Sequence, residues 1–283
     1  MNELTNKRLF LLDMDGTLYL DDRLFPGAAD FLAKIRQSGG KYLFLTNNSS
    51  KGVDAYVEKM THLGVPAAAA DFLTSVDALI VFLERTYGAA VKKKKMYVVG
   101  TRSFCAQLAA AGFLLTETPD DDTEILILGF DRELTYRKLE DACRLLVRGG
   151  QKSDARQAKN ALPAVDYYAT NPDWVCPTAF GSVPDCGSMA WMLEKATGRL
   201  PKFIGKPEPE MALLAMAQCG CSAPETLLIG DRLYTDIACG NRAGVDTAFV
   251  LSGEGTLADL AKGQGKPTYI FENIAEVCKA VFG

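Results

Sequence analysis

The apolar positions of this chain alternate between two textures. The unbroken apolar run at residues 9–12 (LFLL) predicts a strand buried on both faces of a parallel sheet, and the apolar-rich runs at 41–45 (KYLFL), 96–99, 124–129 (EILILG) and 226–229 predict further strands. Shorter strands are expected at 71–73, 165–170, 202–204, 247–251 and 268–271. Between them, apolar residues recur at helical spacing. Residues 28–37 carry Phe31, Leu32 and Ile35 on one side, opened by Pro26-Gly27 and stopped by Gly39-Gly40. The same spacing predicts helices at 53–63, 76–85, 104–111, 134–147, 187–197, 209–219 and 237–243. Residues 19–25 read as a polar loop, and the polar, weakly periodic stretch 151–163 receives no assignment.

Strand and helix follow each other in repeating β–α–β units, which implies an α/β fold with a doubly wound parallel sheet and helices on both faces. The texture changes after residue 85 and resumes near residue 199. The expected organisation is a discontinuous core of residues 1–84 and 199–283, with a smaller α/β domain inserted at 85–198. The like-charge run Lys92-Lys93-Lys94-Lys95 falls near this boundary and reads as a solvated turn.

Composition narrows the function classes. The 283 residues suffice for one large domain or two smaller ones. A hydrophobic content of 48% and a charged content of 23% are ordinary for a soluble globular protein. A net charge of −4 argues against a nucleic-acid-binding surface. No apolar run approaches the ~20 residues needed to cross a bilayer. The opening MNELTNKRLF has no signal-like apolar segment, so no membrane association and a cytoplasmic location are expected. The eight cysteines are scattered without a C-x-x-C pair, which suits reduced thiols better than a zinc site. The single histidine, His62, falls at the end of an amphipathic helix and reads as a surface or cap residue, so histidine-dependent nucleophile mechanisms have little support.

The candidate chemistry sits at the strand ends. The first strand runs straight into Asp13-Met14-Asp15-Gly16-Thr17. Asp and Gly also make ordinary turns, so this segment alone leaves two readings open. The second strand ends in Thr46-Asn47-Asn48-Ser49-Ser50; later strands end in Gly205-Lys206-Pro207 and in Gly230-Asp231-Arg232-Leu233-Tyr234-Thr235-Asp236. In a doubly wound sheet these ends share one edge, where ligands bind. A cluster of carboxylates there calls for a hard cation with oxygen ligands, most simply Mg²⁺. A lysine, a hydroxyl and backbone N–H groups beside the cation form a socket for a tetrahedral dianion. The set points to phosphoryl transfer. Asp236 also fits a helix N-terminal acid that complements the dipole, and Arg232 fits either a phosphate contact or a surface role.

With those pieces in order, the chain resembles the haloacid dehalogenase superfamily, in its NagD-like, 4-nitrophenylphosphatase-like phosphatase branch with an inserted α/β cap. The matching segments are DMDGT at Asp13, LTNNSS at Thr46, GKP at Lys206, GDRLYTD from Asp231 to Asp236, and TNPD at Thr170 in the cap. The resemblance implies a Rossmann-like core and Mg²⁺-dependent hydrolysis of a small phosphorylated metabolite. Asp13 would be the nucleophile that forms an aspartyl-phosphate, and Asp15 the acid and then the base. Thr46 and Asn47 would hold phosphoryl oxygens, and Lys206 would neutralise charge. Asp13, the carbonyl of Asp15 and Asp231 would hold the metal, with Asp236 in or near its coordination sphere. In the cap, Thr170, Asn171 and Asp173, with the segment Cys186-Gly187-Ser188, are substrate-facing candidates; an ordinary turn and helix start fit them as well. The stretch 151–163 is longer than the family's usual connection. Asp15 separates reactions within the superfamily, because an alkoxide leaving group needs an acid and a halide does not. Two other functions remain open: phosphoryl transfer to an acceptor other than water, as in a mutase or phosphotransferase, and a non-enzymatic phospho-acceptor or metabolite-binding regulator. Asp15, Lys206 and the cap speak against the last. A cap surface could also join two copies in a homodimer.

Overall fold

The computed structural model of the chain describes residues 3–148, 162–178 and 180–283, so the unassigned stretch 151–163 lies almost wholly outside the described residues. The chain forms two compact units. One comprises Met1–Asn47, Val53–Ala78 and Gly205–Gly283; the other comprises Asn48–Gly52 and Leu79–Ile204.

In chain order the first unit begins with β1 (Leu9–Leu12), every residue of which is buried. Next comes a small antiparallel hairpin, β2 (Tyr19–Leu20) and β3 (Arg23–Leu24), where the sequence suggested only a loop. The two-residue strands are too short to show an alternating pattern. Helix α1 (Ala28–Gln37) follows, then β4 (Lys41–Thr46), α2 (Val53–His62) and β5 (Phe72–Thr74). Helix α3 (Ser75–Tyr87) then carries the chain from the first unit into the second.

The second unit has its own parallel sheet. Its elements are β6 (Lys95–Val99), α4 (Arg102–Ala110), β7 (Leu114–Thr116), β8 (Thr123–Leu128), α5 (Tyr136–Leu146), β9 (Asp166–Ala169), the hairpin β10 (Val175–Thr178) and β11 (Gly181–Pro184), α6 (Cys186–Thr197) and β12 (Lys202–Phe203). The sheet order is β12-β9-β8-β6-β7. Renumbered along the unit this is 2-1-3-4-5, the flavodoxin-like order. The lysine run is less solvated than its composition suggests. Lys92, Lys94 and Lys95 reach Glu84, Glu124 and Asp120 at 2.8, 2.6 and 2.6 Å, and Lys95 already belongs to β6.

The chain re-enters the first unit at Gly205 and adds α7 (Glu210–Cys219), β13 (Thr226–Gly230), α8 (Ala238–Ala243), β14 (Asp246–Val250), β15 (Tyr269–Phe271) and α9 (Ile274–Phe282). The six-stranded parallel sheet runs β15-β14-β13-β1-β4-β5. Along the unit this is the Rossmann order 3-2-1-4-5-6 read from the far edge, so the order reverses between β1 and β13. Successive residues of β1 face opposite sides. Phe10 and Leu12 join a cluster with Phe31 and Ile35 of α1 and Val277 and Val281 of α9, whereas Leu9 and Leu11 are buried on the other face, where α7 packs on β1. Helix α9 escaped the sequence reading. Its signals were Asn273, whose side chain accepts the N–H groups of Ala275 and Glu276, and the buried spacing Ile274, Val277, Cys278, Val281. Among the described residues, no helix is long and apolar enough to cross a membrane.

Candidate active site

The site is built at the reversal point of the first unit's sheet, where the carboxyl ends of β1 and β13 lie side by side with Leu12 beside Ile229. Asp13 continues β1, its N–H bonded to Ile229 O at 2.9 Å. The chain then turns sharply, and the Met14 carbonyl accepts the N–H groups of Thr17 and Leu18 at 3.2 and 2.9 Å. Gly16 is required here twice over. Its φ is 85°, and a Cβ would stand 2.5 Å from Asp231 Oδ2. The turn thus presses directly against the carboxylate at the end of β13. The Thr17 hydroxyl lies 3.2 Å from Asp231 Oδ1 and 3.4 Å from Asp13 Oδ2, while Asp231 Oδ2 accepts the Glu254 N–H at 2.7 Å.

Lys206 enters from the residue after the re-entry point. Its Nζ donates to Asp13 Oδ1 at 2.6 Å, to Asp236 Oδ1 at 2.7 Å and to the Leu45 carbonyl at 3.2 Å. The Asn47 side chain grips the Lys206 peptide from both ends: Nδ2 donates to Lys206 O at 2.8 Å, and Oδ1 accepts Lys206 N–H at 2.9 Å. Asn47 is held in turn by Ser75, whose hydroxyl donates to its carbonyl at 2.7 Å. Thr46 is buried beside it at the end of β4. Asp236 lies in a π-helical turn, Leu233–Ile237, in which the N–H groups of both Asp236 and Ile237 bond to Arg232 O. Its second oxygen accepts the Arg232 N–H at 3.1 Å, and the Arg232 side chain pairs with Glu254 at 2.9 Å.

Carboxylate oxygens of Asp13, Asp231 and Asp236 all lie within 4.8 Å of one another. Lys206, Asp231 and Asp236 are almost fully buried, whereas the Asp13 side chain keeps 17% exposure, so Asp13 is the member a solvent-borne group can reach. Burial pushes the Asp13 carboxyl well above the usual range, and Asp236 adds to this against the pull of Lys206. Burial and Asp236 likewise push Asp231 up to about 6. For Lys206 burial alone would lower the value, but Asp13 and Asp236 together outweigh it and hold the ammonium charged. Two buried carboxylates and the partly exposed one of Asp13 stand against one lysine, and the raised values of Asp13 and Asp231 show that a further cation would favour their charged forms; their oxygen donors suit a hard divalent one. The carboxylates of Asp13, Asp231 and Asp236 therefore fit a metal, with Lys206 bonded to the first and the last of them.

Residues 10–114 match the family model for haloacid dehalogenase-like hydrolases, and residues 203–277 match a second one, for HAD-hydrolase-like proteins. An acid sugar phosphatase of Staphylococcus aureus is 31% identical over 95% of this chain and 96% of its own length. The chain belongs to the haloacid dehalogenase-like hydrolases. Its structure agrees. The crystal structure of a 4-nitrophenylphosphatase from Thermotoga maritima matches 99% of this chain and 100% of its own, with 35% identity and a TM-score of 0.86. A glycerol phosphate phosphatase from Mycobacterium tuberculosis, solved in complex with magnesium, matches 98% of this chain and 78% of its own, with 28% identity and a TM-score of 0.83. Within the family the chain falls in the NagD-like, 4-nitrophenylphosphatase-like branch, and it is a phosphoric monoester hydrolase.

The sequence-derived residues of this hydrolase are distributed unevenly. Asp13, Thr46, Asn47, Lys206, Asp231 and Asp236 all lie in the first unit around the β1/β13 strand ends. The Asp15 carboxylate stands apart from the acidic trio: Oδ2 accepts the Tyr19 hydroxyl at 3.4 Å, and Oδ1 lies 3.6 Å from Lys59 Nζ. Thr170, Asn171 and Asp173 are buried in the second unit. Thr170 donates to Asn171 at 2.8 Å, and Asn171 donates to Asp173 and Asp185 at 2.8 and 3.1 Å. Asp185 caps α6, and a Cβ on Gly187 would collide with the Pro172 carbonyl. Sequence reasoning missed Thr17, Tyr19, Lys59, Ser75 and Glu254. Thr17 was visible inside DMDGT; the other four become partners only when turns and helices bring them to the site.

Proposed function

We propose that this hydrolase is a Mg²⁺-dependent phosphatase of small phosphorylated metabolites that works through an aspartyl-phosphate at Asp13. The observation that carries the reading is the arrangement around Lys206: a buried ammonium, fixed by Asp236, bonded to one oxygen of the half-open Asp13 carboxylate. Asp13 attacks phosphorus with Oδ2, the oxygen not bonded to Lys206, as the ester P–O bond breaks. Asp15 gives its proton to the departing oxygen, then takes one from the water that attacks the phosphorylated Asp13 and releases phosphate. Lys206 offsets charge on the nucleophile and on the transferred group, and the Thr46 hydroxyl with the Asn47 N–H holds a non-bridging oxygen. Asp13, Asp231 and the carbonyl of Asp15 would hold Mg²⁺, which supplies charge neutralisation of the phosphoryl oxygens. Asp236 holds Lys206 and stands in or near the coordination sphere of that ion.

The second unit acts as the cap that reads the leaving group. Its Thr170, Asn171 and Asp173 fix the shape of that loop through their mutual hydrogen bonds. The sugar phosphate and glycerol phosphate named for the relatives support a small polyol or sugar ester as the substrate class. The test is phosphate release across a panel of phosphorylated metabolites by wild type and Asp13→Asn. Wild type is expected to release phosphate from sugar or polyol esters, and the variant, folded as judged by circular dichroism, is expected to fall to background. Undiminished turnover by Asp13→Asn refutes the nucleophile.

A further inference from the structure

Helix α2 aims one side chain at the candidate acid. Lys59 Nζ lies 3.6 Å from Asp15 Oδ1 and 3.9 Å above the centre of the Tyr19 ring, while the Tyr19 hydroxyl donates to Asp15 Oδ2 at 3.4 Å. Tyr19 is buried at 1% exposure, and α2 is pinned by buried Tyr56 and Met60 on its inner face. Asp15 itself is 53% exposed, and a carboxylate at an open site needs tethers to keep one orientation. A lysine on the polar face of a surface helix ordinarily reaches into water. This one is only 29% exposed and lies over an aromatic ring, which restricts where its charge can go. A pair of this kind contributes little to stability, so its placement is better explained by what Asp15 does.

We propose that Lys59, together with Tyr19, is a positioning residue for the acid–base work of Asp15. The inference rests on the reading of Asp15 as the general acid. In the first half-reaction the Asp13–phosphorus bond forms, the ester P–O bond breaks with its electron pair going to oxygen, and the Asp15 proton passes to that oxygen. The carboxylate left behind then faces an ammonium and a phenolic O–H already in place, which is stabilisation aimed at where charge develops. In the second half-reaction the same carboxylate, held in the same orientation, takes a proton from water.

The experiment exploits the leaving group. An alkyl phosphate needs the acid, whereas dinitrophenyl phosphate, whose phenolate leaves unaided, does not. General acid catalysis contributes about 10²–10⁴-fold. Lys59→Met is expected to lose about 10–100-fold in kcat/KM on an alkyl phosphate and less than about threefold on dinitrophenyl phosphate. Tyr19→Phe is expected to move in the same direction, and Lys59→Arg, which keeps the charge, to retain the wild-type pattern. Equal loss on both substrates, loss on neither, or an arginine variant no better than the methionine one overturns the proposal. Asp15→Asn separates the two levels. If it shows no selective loss, the general-acid reading itself falls. If it shows the loss and Lys59→Met does not, only the positioning role falls.

Discussion

Lys206 is buried to 2% exposure and remains charged, because Asp13 and Asp236 stand at hydrogen-bond distance on either side of it. Asp231 has no such partner in the lysine. Its carboxyl rises from an ordinary 3.8 to about 6 because burial and Asp236 disfavour the charged form. A carboxyl raised in the folded state costs nothing below its unfolded value. It then removes stability progressively as pH climbs from about 4 to about 6, and by a constant amount above that. Asp231→Asn is therefore expected to raise the unfolding midpoint of chelator-treated protein by a few degrees at pH 8 and by nothing at pH 4, read by calorimetry. A midpoint gain of equal size at both pH values would show that charge is not the cause. Legibility at this scale follows distance along the chain. Asp13, Asp15 and Thr17 share one segment and could be read together. Lys59 could not be tied to Asp15, because the pairing depends on how α2 is rotated about its axis and on a tyrosine ring lying beneath it.

At the scale of elements, the turn from β1 to β2 decides the geometry of the site. Gly16 combines a left-handed backbone with contact to Asp231, so any side chain there meets both obstacles. Gly16→Ala is expected to lower turnover by at least about tenfold and to cost about 1–3 kcal/mol of stability, measured by steady-state kinetics and denaturant titration. A variant that unfolds normally but retains full activity would show that the turn can relax without displacing Asp13 or Asp231. The long elements were readable because a buried parallel strand is an unbroken apolar run and a packed helix has a regular stripe. The hairpin β2–β3 and strand β7 were not readable, since two or three residues cannot display either pattern. The π-helical turn at Leu233–Ile237 falls where the sequence suggested a strand end leading into a helix at 237–243, because local composition carries no sign of a bond reaching five residues back.

At the scale of the whole molecule, two parallel sheets with different strand orders share one chain, and the carboxylate trio belongs to only one of them. Repeating strand–helix units made the α/β class legible in the sequence. The strand order was not, because it depends on which side each returning segment takes. If the trio binds a divalent ion, chelation is expected to abolish phosphate release and added Mg²⁺ to restore it. Calorimetric titration of Mg²⁺ into the apoprotein should show weaker binding at pH 5 than at pH 8, because protons compete for the same oxygens. Undiminished turnover in chelator would remove the metal from the reaction. Phosphate released in equal amount to the alcohol, with added acceptor alcohols present, would distinguish transfer to water from transfer to another molecule.

The chain passes between its units beside two residues that matter: one crossing follows Asn47 and another precedes Gly205-Lys206. The Asn47 amide clasps the Lys206 peptide, so those two junctions are stitched to each other. Anyone exchanging the inserted unit for that of a related enzyme inherits this stitch as a design rule. A graft joined a residue early or late at the return seam would misregister the lysine by one side chain. Viable chimaeras should keep the native tripeptide from Ile204 to Lys206 and the native Asn47, and draw their variety from further inside the transplanted segment.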